Sequence, residues 1–107
     1  MAFFILTYEL VEDYLTKRAA HRAEHLALAS EAYRRGELVL GGALADPADQ
    51  AVLVFRGTDK SVAEGFAKND PYVLNGLVKS WKIRAWTVVI GNGGTLGVKQ
   101  AESPKQS

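Results

Sequence analysis

A chain of 107 residues with 48% hydrophobic and 23% charged residues suits a single globular domain. Its formal net charge of +1 shows no basic excess of the kind that nucleic-acid partners select, so that class is set aside. The absence of cysteine excludes a disulfide framework and a thiolate metal site, and it fits a reducing compartment.

The first element is Ala2-Phe-Phe-Ile-Leu-Thr-Tyr8, rich in aromatic and β-branched residues and therefore a predicted strand. Its apolar opening, Ala2 to Leu6, is followed closely by Glu9, Glu12 and Asp13 and is too short for a signal-peptide core or a membrane span. A cytoplasmic protein with no membrane partner is expected. Phe3 and Ile5 point one way along this strand and Phe4 and Leu6 the other, so both faces should be covered.

After the connection Glu9 to Asp13, Tyr14 to Arg35 reads as one long helix. At about 100° per residue, Leu15, Ala19, Leu26, Ala29 and Tyr33 share a face, which should lie on a sheet. His25 falls roughly 80–100° from the centre of that stripe, on its shoulder. Arg18 sits on the same shoulder and Arg22 lies between the two. Arg34 and Arg35 complement the negative end of the helix, and Gly36 can take the left-handed conformation that ends it. Glu37 to Leu44 is the second strand. It contains Gly41-Gly42, and glycine in a strand marks a bulge or a close approach by another group, which makes Gly42 a candidate ligand contact.

Asp46-Pro-Ala-Asp49 is a turn. Gln50 to Phe55 is the third strand, paired with the second as a hairpin and ended by Arg56-Gly-Thr58. Ser61 to Lys68 is the second helix. Thr58, Asp59 or Ser61 would cap it, Glu64 would complete a capping box with Ser61, and Val62 and Phe66 would be its buried pair. Asn69 to Gly76 is a compact, punctuated segment. Lys79 to Ile90 is the fourth strand, wet on one face where Lys82 and Arg84 alternate with Trp81, Ile83 and Ala85, and apolar on both faces from Trp86. Gly91 to Ser107 carries almost no large apolar residue and is expected to be a loose tail, which leaves residues 1–90 as the folded domain.

The order β-α-β-β-α-β is the split βαβ, or ferredoxin-like, arrangement. Two helices should cover one face of a four-stranded antiparallel sheet. The other face keeps about half the apolar residues of the first three strands with nothing left to cover it. A homodimer with two sheets packed face to face is the expected solution.

Two stretches can carry chemistry. The first is Arg22-Ala-Glu-His25-Leu26, where a histidine with arginines beside it can touch both core and ligand. The second is Asp70-Pro71-Tyr72. Aspartate followed by proline also has a purely structural explanation, as a helix cap with proline in the first turn. The two explanations are compatible, because a capping carboxylate can still offer an oxygen to an imidazole. The topology brings the end of the second helix towards the side of the first, so His25 and Asp70 can meet. The carboxylate would then fix the ring's tautomer and leave the other nitrogen for acid–base work. Arg22 and Arg18 would hold an anionic substrate or an enolate-like intermediate. Tyr72, Trp81 and Tyr8 are candidates for the pocket wall, although each also suits core or interface.

Arg22-Ala-Glu-His25-Leu26, then Arg35-Gly36-Glu-Leu38 leading to Gly41-Gly42, then Asn69-Asp70-Pro71-Tyr72-Val73 before Gly76-Leu77, together resemble the YCII-related (YciI-like) domain family. The resemblance covers roughly residues 1 to 90. It implies a ferredoxin-like subunit of the dimeric α/β-barrel superfamily, with His25 and Asp70 as the matched active-site pair. It also implies chemistry without a cofactor. A dehydrochlorinase acting on a chlorinated hydroxyquinol is one member with a known reaction. Where that family often has Arg-Pro ahead of the histidine, this chain has Arg22-Ala-Glu, so its passage into the helix should differ.

Other motifs are missing. There is no phosphate-binding glycine loop and no GxGxxG. His21 and His25 form an i, i+4 pair, but no glutamate completes H-E-x-x-H and no third ligand is evident, so no metal is expected. The RNA-recognition signature is absent from Gln50 to Gly57. Two functions compete. One is a small cofactor-independent lyase, isomerase or dehydrochlorinase using His25 and Asp70 on a small cyclic or anionic metabolite. The other is a dimeric ligand-binding or accessory domain in which that contact is structural. An open cavity beside His25 would favour the first, and complete burial with no cavity the second.

Overall fold

The computed structural model describes residues 2–91. The tail expected from Gly91 to Ser107 therefore lies, beyond Gly91 itself, outside the described residues. Four strands, β1 (Ala2–Leu10), β2 (Leu38–Ala43), β3 (Gln50–Gly57) and β4 (Val78–Trp86), form one sheet in the order β2-β3-β1-β4. Every neighbouring pair is antiparallel. Between the strands run α1 (Tyr14–Lys17), a short 3₁₀ turn (Arg18–Ala20), α2 (Arg22–Arg34), α3 (Ser61–Asn69) and α4 (Pro71–Leu74). This is the ferredoxin-like βαββαβ order.

Register decides which side chains meet the helices. Phe4, Leu6 and Tyr8 stand opposite Phe55, Leu53 and Ala51 of β3 and opposite Ala85, Ile83 and Trp81 of β4. Leu6, Tyr8, Leu53 and Phe55 join Ala63, Phe66, Ala67, Tyr72 and Leu77 of the helical layer in one buried cluster. Each large side chain buried there contributes about 1.5–3 kcal/mol. The alternate residues Phe3, Ile5 and Thr7 point to the opposite face, with Val52, Val54 and Arg56 on one side and Lys82, Arg84 and Trp86 on the other. Leu40, opposite Val54, and Trp86 are both exposed on that face.

The long helix expected over Tyr14 to Arg35 is two helices. Arg18–Ala20 tighten into the 3₁₀ turn, His21 leaves helical geometry at φ −122° and ψ 2°, and α2 starts afresh at Arg22. The break resets the phase. Of the expected inward stripe Ala29 packs against the core, while Leu15, Ala19, Leu26 and Tyr33 are exposed. The inward face of α2 is instead His25, Leu28, Ala29 and Ala32, rotated by one residue, or about 100°. His25 sits on that inward face and not on its shoulder. The end of α2 matches expectation. Gly36 has φ +79°, its N–H donates to Tyr33 O, and Glu37 N–H donates to Ala32 O at 3.0 Å, a Schellman motif.

Strand ends follow from what β1 can pair with. β3 runs through Arg56 to Gly57, because Ala2 and Phe3 remain opposite them. β4 stops at Trp86, opposite Phe3 near the start of β1, and does not reach Ile90. Val89 and Ile90 are exposed. At α3, Asp59 accepts the Ser61 N–H at 2.8 Å. Glu64 turns to Lys60 at 3.8 Å, so the Ser61–Glu64 capping box does not form. Ala63, Phe66 and Ala67 are buried there, and Val62 only partly. Among the described residues no helix is long and apolar enough to cross a membrane.

Candidate functional site

The site is built around Asp70. The chain leaves α3 at Asn69 and turns extended at Asp70, with φ −72° and ψ 122°, before Pro71 opens α4. Pro71 occupies a first-turn position, where its missing N–H costs nothing. The Asp70 carboxylate folds over this start, and its Oδ1 accepts the Tyr72 N–H at 3.0 Å. Leu77 N–H donates to Tyr72 O at 2.9 Å with Gly76 at φ +80°, so α4 is closed at both ends within a few residues. A short, doubly capped helix thus fixes the carboxylate, which is fully buried.

Three donors converge on it. His25 Nδ1 lies 2.8 Å from Oδ1, and the Tyr8 hydroxyl donates to Oδ2 at 2.7 Å. With the Tyr72 N–H, they replace the water that a buried carboxylate loses. A carboxylate acceptor requires the proton on Nδ1, which leaves Nε2 with its lone pair free. Nε2 has no partner among the described residues, yet it is not buried, because Tyr72 Oη is the one buried side-chain polar atom there without a hydrogen bond.

Aromatic rings hold the imidazole. Tyr72 stacks on it with centroids 3.8 Å apart and planes 6° from parallel, and Phe66 meets its edge at 6.4 Å. Tyr14 packs edge-on against Tyr72 at 5.7 Å, and the Arg18 guanidinium lies 5.4 Å over the Tyr14 ring. Burial pushes the Tyr72 phenol above the usual tyrosine range, helped by Tyr14 and opposed by Arg22 and Arg18. Burial, then the charge of Asp70 and the bond to it, push the Tyr8 phenol up further, so it remains a hydroxyl.

A cavity of about 180 Å³ opens beside this group, between α2 and the edge strand β2. His25, Arg22, Arg18, Tyr14, Tyr72 and Tyr8 line one side, and Gly41, Gly42, Leu53 and Ala51 the other. Among the described residues no carboxylate lines it and neither arginine has an ion-pair partner. Two unpaired guanidiniums over an aromatic wall make an anion-attracting cavity.

The structure therefore brings together His25, Asp70, Arg22, Arg18, Gly42, Tyr72 and Tyr8 of the residues singled out from sequence. Trp81 is the exception. It lies on β4, the sheet edge opposite β2, beside Thr7, Glu9, Ser80 and Lys82, and does not reach the cavity. Tyr14 was missed. Its spacing of four residues from Arg18, the distance at which helix neighbours touch, was the available signal. Among the described residues no group of three or more His, Cys, Asp or Glu is gathered as a metal site would need.

The family model for the YCII-related domain matches residues 1–87. The chain belongs to the YCII-related domain family. Its fold recurs in solved structures of low sequence identity. The 5-chloro-2-hydroxyhydroquinone dehydrochlorinase TftG of Burkholderia phenoliruptrix, solved in complex with 2,5-dihydroxybenzoquinone, is 18% identical with a TM-score of 0.67, over 79% of this chain and 93% of that one. A NIPSNAP-family protein of Agrobacterium tumefaciens is 15% identical with a TM-score of 0.52, over 90% and 98% of the two chains. A NIPSNAP domain protein of Burkholderia xenovorans is 11% identical with a TM-score of 0.52, over 83% and 95%. These likenesses show the fold: this YCII-related chain shares with them the four-stranded, ferredoxin-like α+β architecture. No curated protein matches the sequence.

Proposed function

We propose that this YCII-related protein is a small cofactor-independent enzyme of the lyase or isomerase type. Its substrate is a single-ring metabolite carrying an anionic or phenolic oxygen. The observation that carries this reading is the 2.8 Å contact between His25 Nδ1 and the buried Asp70, with Nε2 left free beside a cavity. An open cavity at the histidine favours catalysis over a purely structural contact. The size also suits: about 150 Å³ holds benzene, so the 180 Å³ here accepts one ring with small substituents. A ring-shaped ligand in the structurally similar TftG supports the same class.

In the proposed reaction Nε2 takes a proton from the substrate, and the electron pair left behind moves into the ring system. In an elimination that pair expels a leaving group. In an isomerisation the proton returns at another atom. Asp70 stabilises the imidazolium formed on the way, and Arg22 and Arg18 hold the oxygen on which negative charge collects. Such a base contributes about a hundredfold to ten-thousandfold in rate. We further propose that the protein acts in the cytoplasm as a homodimer, joined through the sheet face that carries Leu40 and Trp86.

A thermal-shift screen of small cyclic anions against wild type and His25→Ala tests the site. A ligand that stabilises the wild type alone, through binding to the folded state, is the expected result. Ligands that stabilise both proteins equally would place binding elsewhere. A His25→Ala protein that no longer folds would favour the structural alternative.

A further inference from the structure

We infer that Tyr8 is a positioning residue, which sets the tautomer of His25 by holding Asp70 between them. The inference rests on the acid–base reading of the same site and adds a residue to it. Asp70 Oδ1 is already occupied by the Tyr72 N–H and by His25. Oδ2 has one hydrogen-bond donor among the described residues, the Tyr8 hydroxyl 2.7 Å away. Without it, the fully buried carboxylate would keep an unpaired oxygen and would be free to turn, which loosens the hold of Oδ1 on His25 Nδ1.

The origin of the donor matters. Tyr8 lies in β1, which is paired on both sides, opposite Ala51 of β3 and Trp81 of β4. It stands 62 residues from Asp70 in sequence and is 1% exposed. The phenol spans the core from the rigid centre of the sheet to the cap of α4. It thereby ties the carboxylate to the sheet as well as to its own helix. Because Tyr8 keeps its proton, it serves as a fixed donor and does not exchange protons with the substrate. Its influence on chemistry runs through Asp70 to Nδ1 and, by exclusion, to the lone pair on Nε2.

The test is long-range ¹H–¹⁵N NMR of the histidine rings at a pH where they are neutral. Wild type and Tyr8→Phe are compared, and His25→Ala assigns the signals. Wild type is expected to show His25 with the proton on Nδ1. In Tyr8→Phe the carboxylate is free to turn away from Nδ1, and the minor Nε2–H form should rise roughly fivefold, the change expected when the His25–Asp70 bond weakens by about the worth of one ordinary hydrogen bond. A structural role alone would lower the melting temperature and leave the tautomer unmoved. That outcome overturns the role of Tyr8 while the His25–Asp70 reading stands. A wild-type ring protonated on Nε2 overturns that reading itself. If Tyr8→Phe does not fold, the wild-type hydroxyl proton decides. It must appear as a slowly exchanging, hydrogen-bonded signal, and its absence overturns the inference.

Discussion

The imidazole of His25 lies flat against the phenol of Tyr72, 3.8 Å between centroids and 6° from parallel. Tyr72 also donates its backbone N–H to the carboxylate that His25 binds. One residue therefore positions the histidine twice, through its ring and through the cap of its helix.

The Tyr72 hydroxyl is buried without a partner among the described residues, so removing it should cost little stability. Tyr72→Phe is expected to unfold within about 1 kcal/mol of wild type. Tyr72→Ala removes the ring from the core and should cost about 3–5 kcal/mol. Urea unfolding of both variants checks this, and a Phe variant as unstable as the Ala variant would contradict it.

Asp70→Ala should be among the most damaging single changes in the chain. It leaves Tyr8, His25 and the α4 start without their shared acceptor. Breaking a buried charged contact from one side costs about 3–5 kcal/mol. Asp70→Asn keeps one acceptor for the Tyr72 N–H and presents an amide to Tyr8, whose oxygen can turn to accept. It should therefore lose less than the alanine variant, as chemical denaturation would show. Equal losses would mean that the cap and the Tyr8 bond matter little.

The two strand glycines respond differently. A Cβ on Gly42 would meet nothing within 4 Å, while one on Gly41 would lie 3.1 Å from Leu53 Cγ. Gly42→Ala should be neutral or stabilising by up to about 1 kcal/mol, through the lower entropy of the unfolded chain. Gly41→Ala forces Leu53 to give way and should fall about 1 kcal/mol below it. Thermal unfolding of the pair would reveal the order.

The architecture was legible because its signals are local. Runs of aromatic and β-branched residues mark the strands, Gly36 ends α2 by its left-handed backbone, and Asp70-Pro71 announces a capped helix. The phase of α2 was not legible. Its inward face includes His25, a polar residue whose burial is compensated by Asp70, 45 positions away, while the more apolar Leu26 and Tyr33 point outward. Periodicity counts apolar residues and cannot register a distant partner. Tyr8 is a legible candidate for the pocket wall, but its bond to Asp70 was hidden for the same reason, since the partner lies 62 positions away. Trp81 was misplaced because aromatic character says nothing about which edge of the sheet a cavity adjoins.

The proposed dimer makes a separate prediction. Leu40 and Trp86 are exposed on the sheet face away from the helices, so charges there should spare the fold of one chain. Wild type should sediment at about twice the 11.6 kDa of the chain. Leu40→Asp with Trp86→Asp should sediment as a monomer with unchanged circular dichroism. A wild-type monomer at micromolar concentration would remove the dimer from the reading.

Alkaline pH probes the buried phenols directly. Tyr8 and Tyr72 both ionise above the ordinary value of 10.0 in the folded chain, each chiefly because it is buried. The unfolded chain releases these protons first as pH passes about 10, so it binds fewer protons than the native state and the free energy of unfolding falls. The stabilisation is whole below pH 10 and is lost as pH rises towards the folded values. Its limiting slope is about 1.4 kcal/mol per pH unit for each phenol. Tyr8→Phe deletes one of the two contributions. Urea unfolding between pH 9 and pH 11 should therefore show a shallower loss of stability in Tyr8→Phe than in wild type. Parallel slopes in the two proteins would mean that Tyr8 ionises as easily in the folded chain as in the unfolded one, and that the Asp70 carboxylate and the burial around it do not act on the phenol.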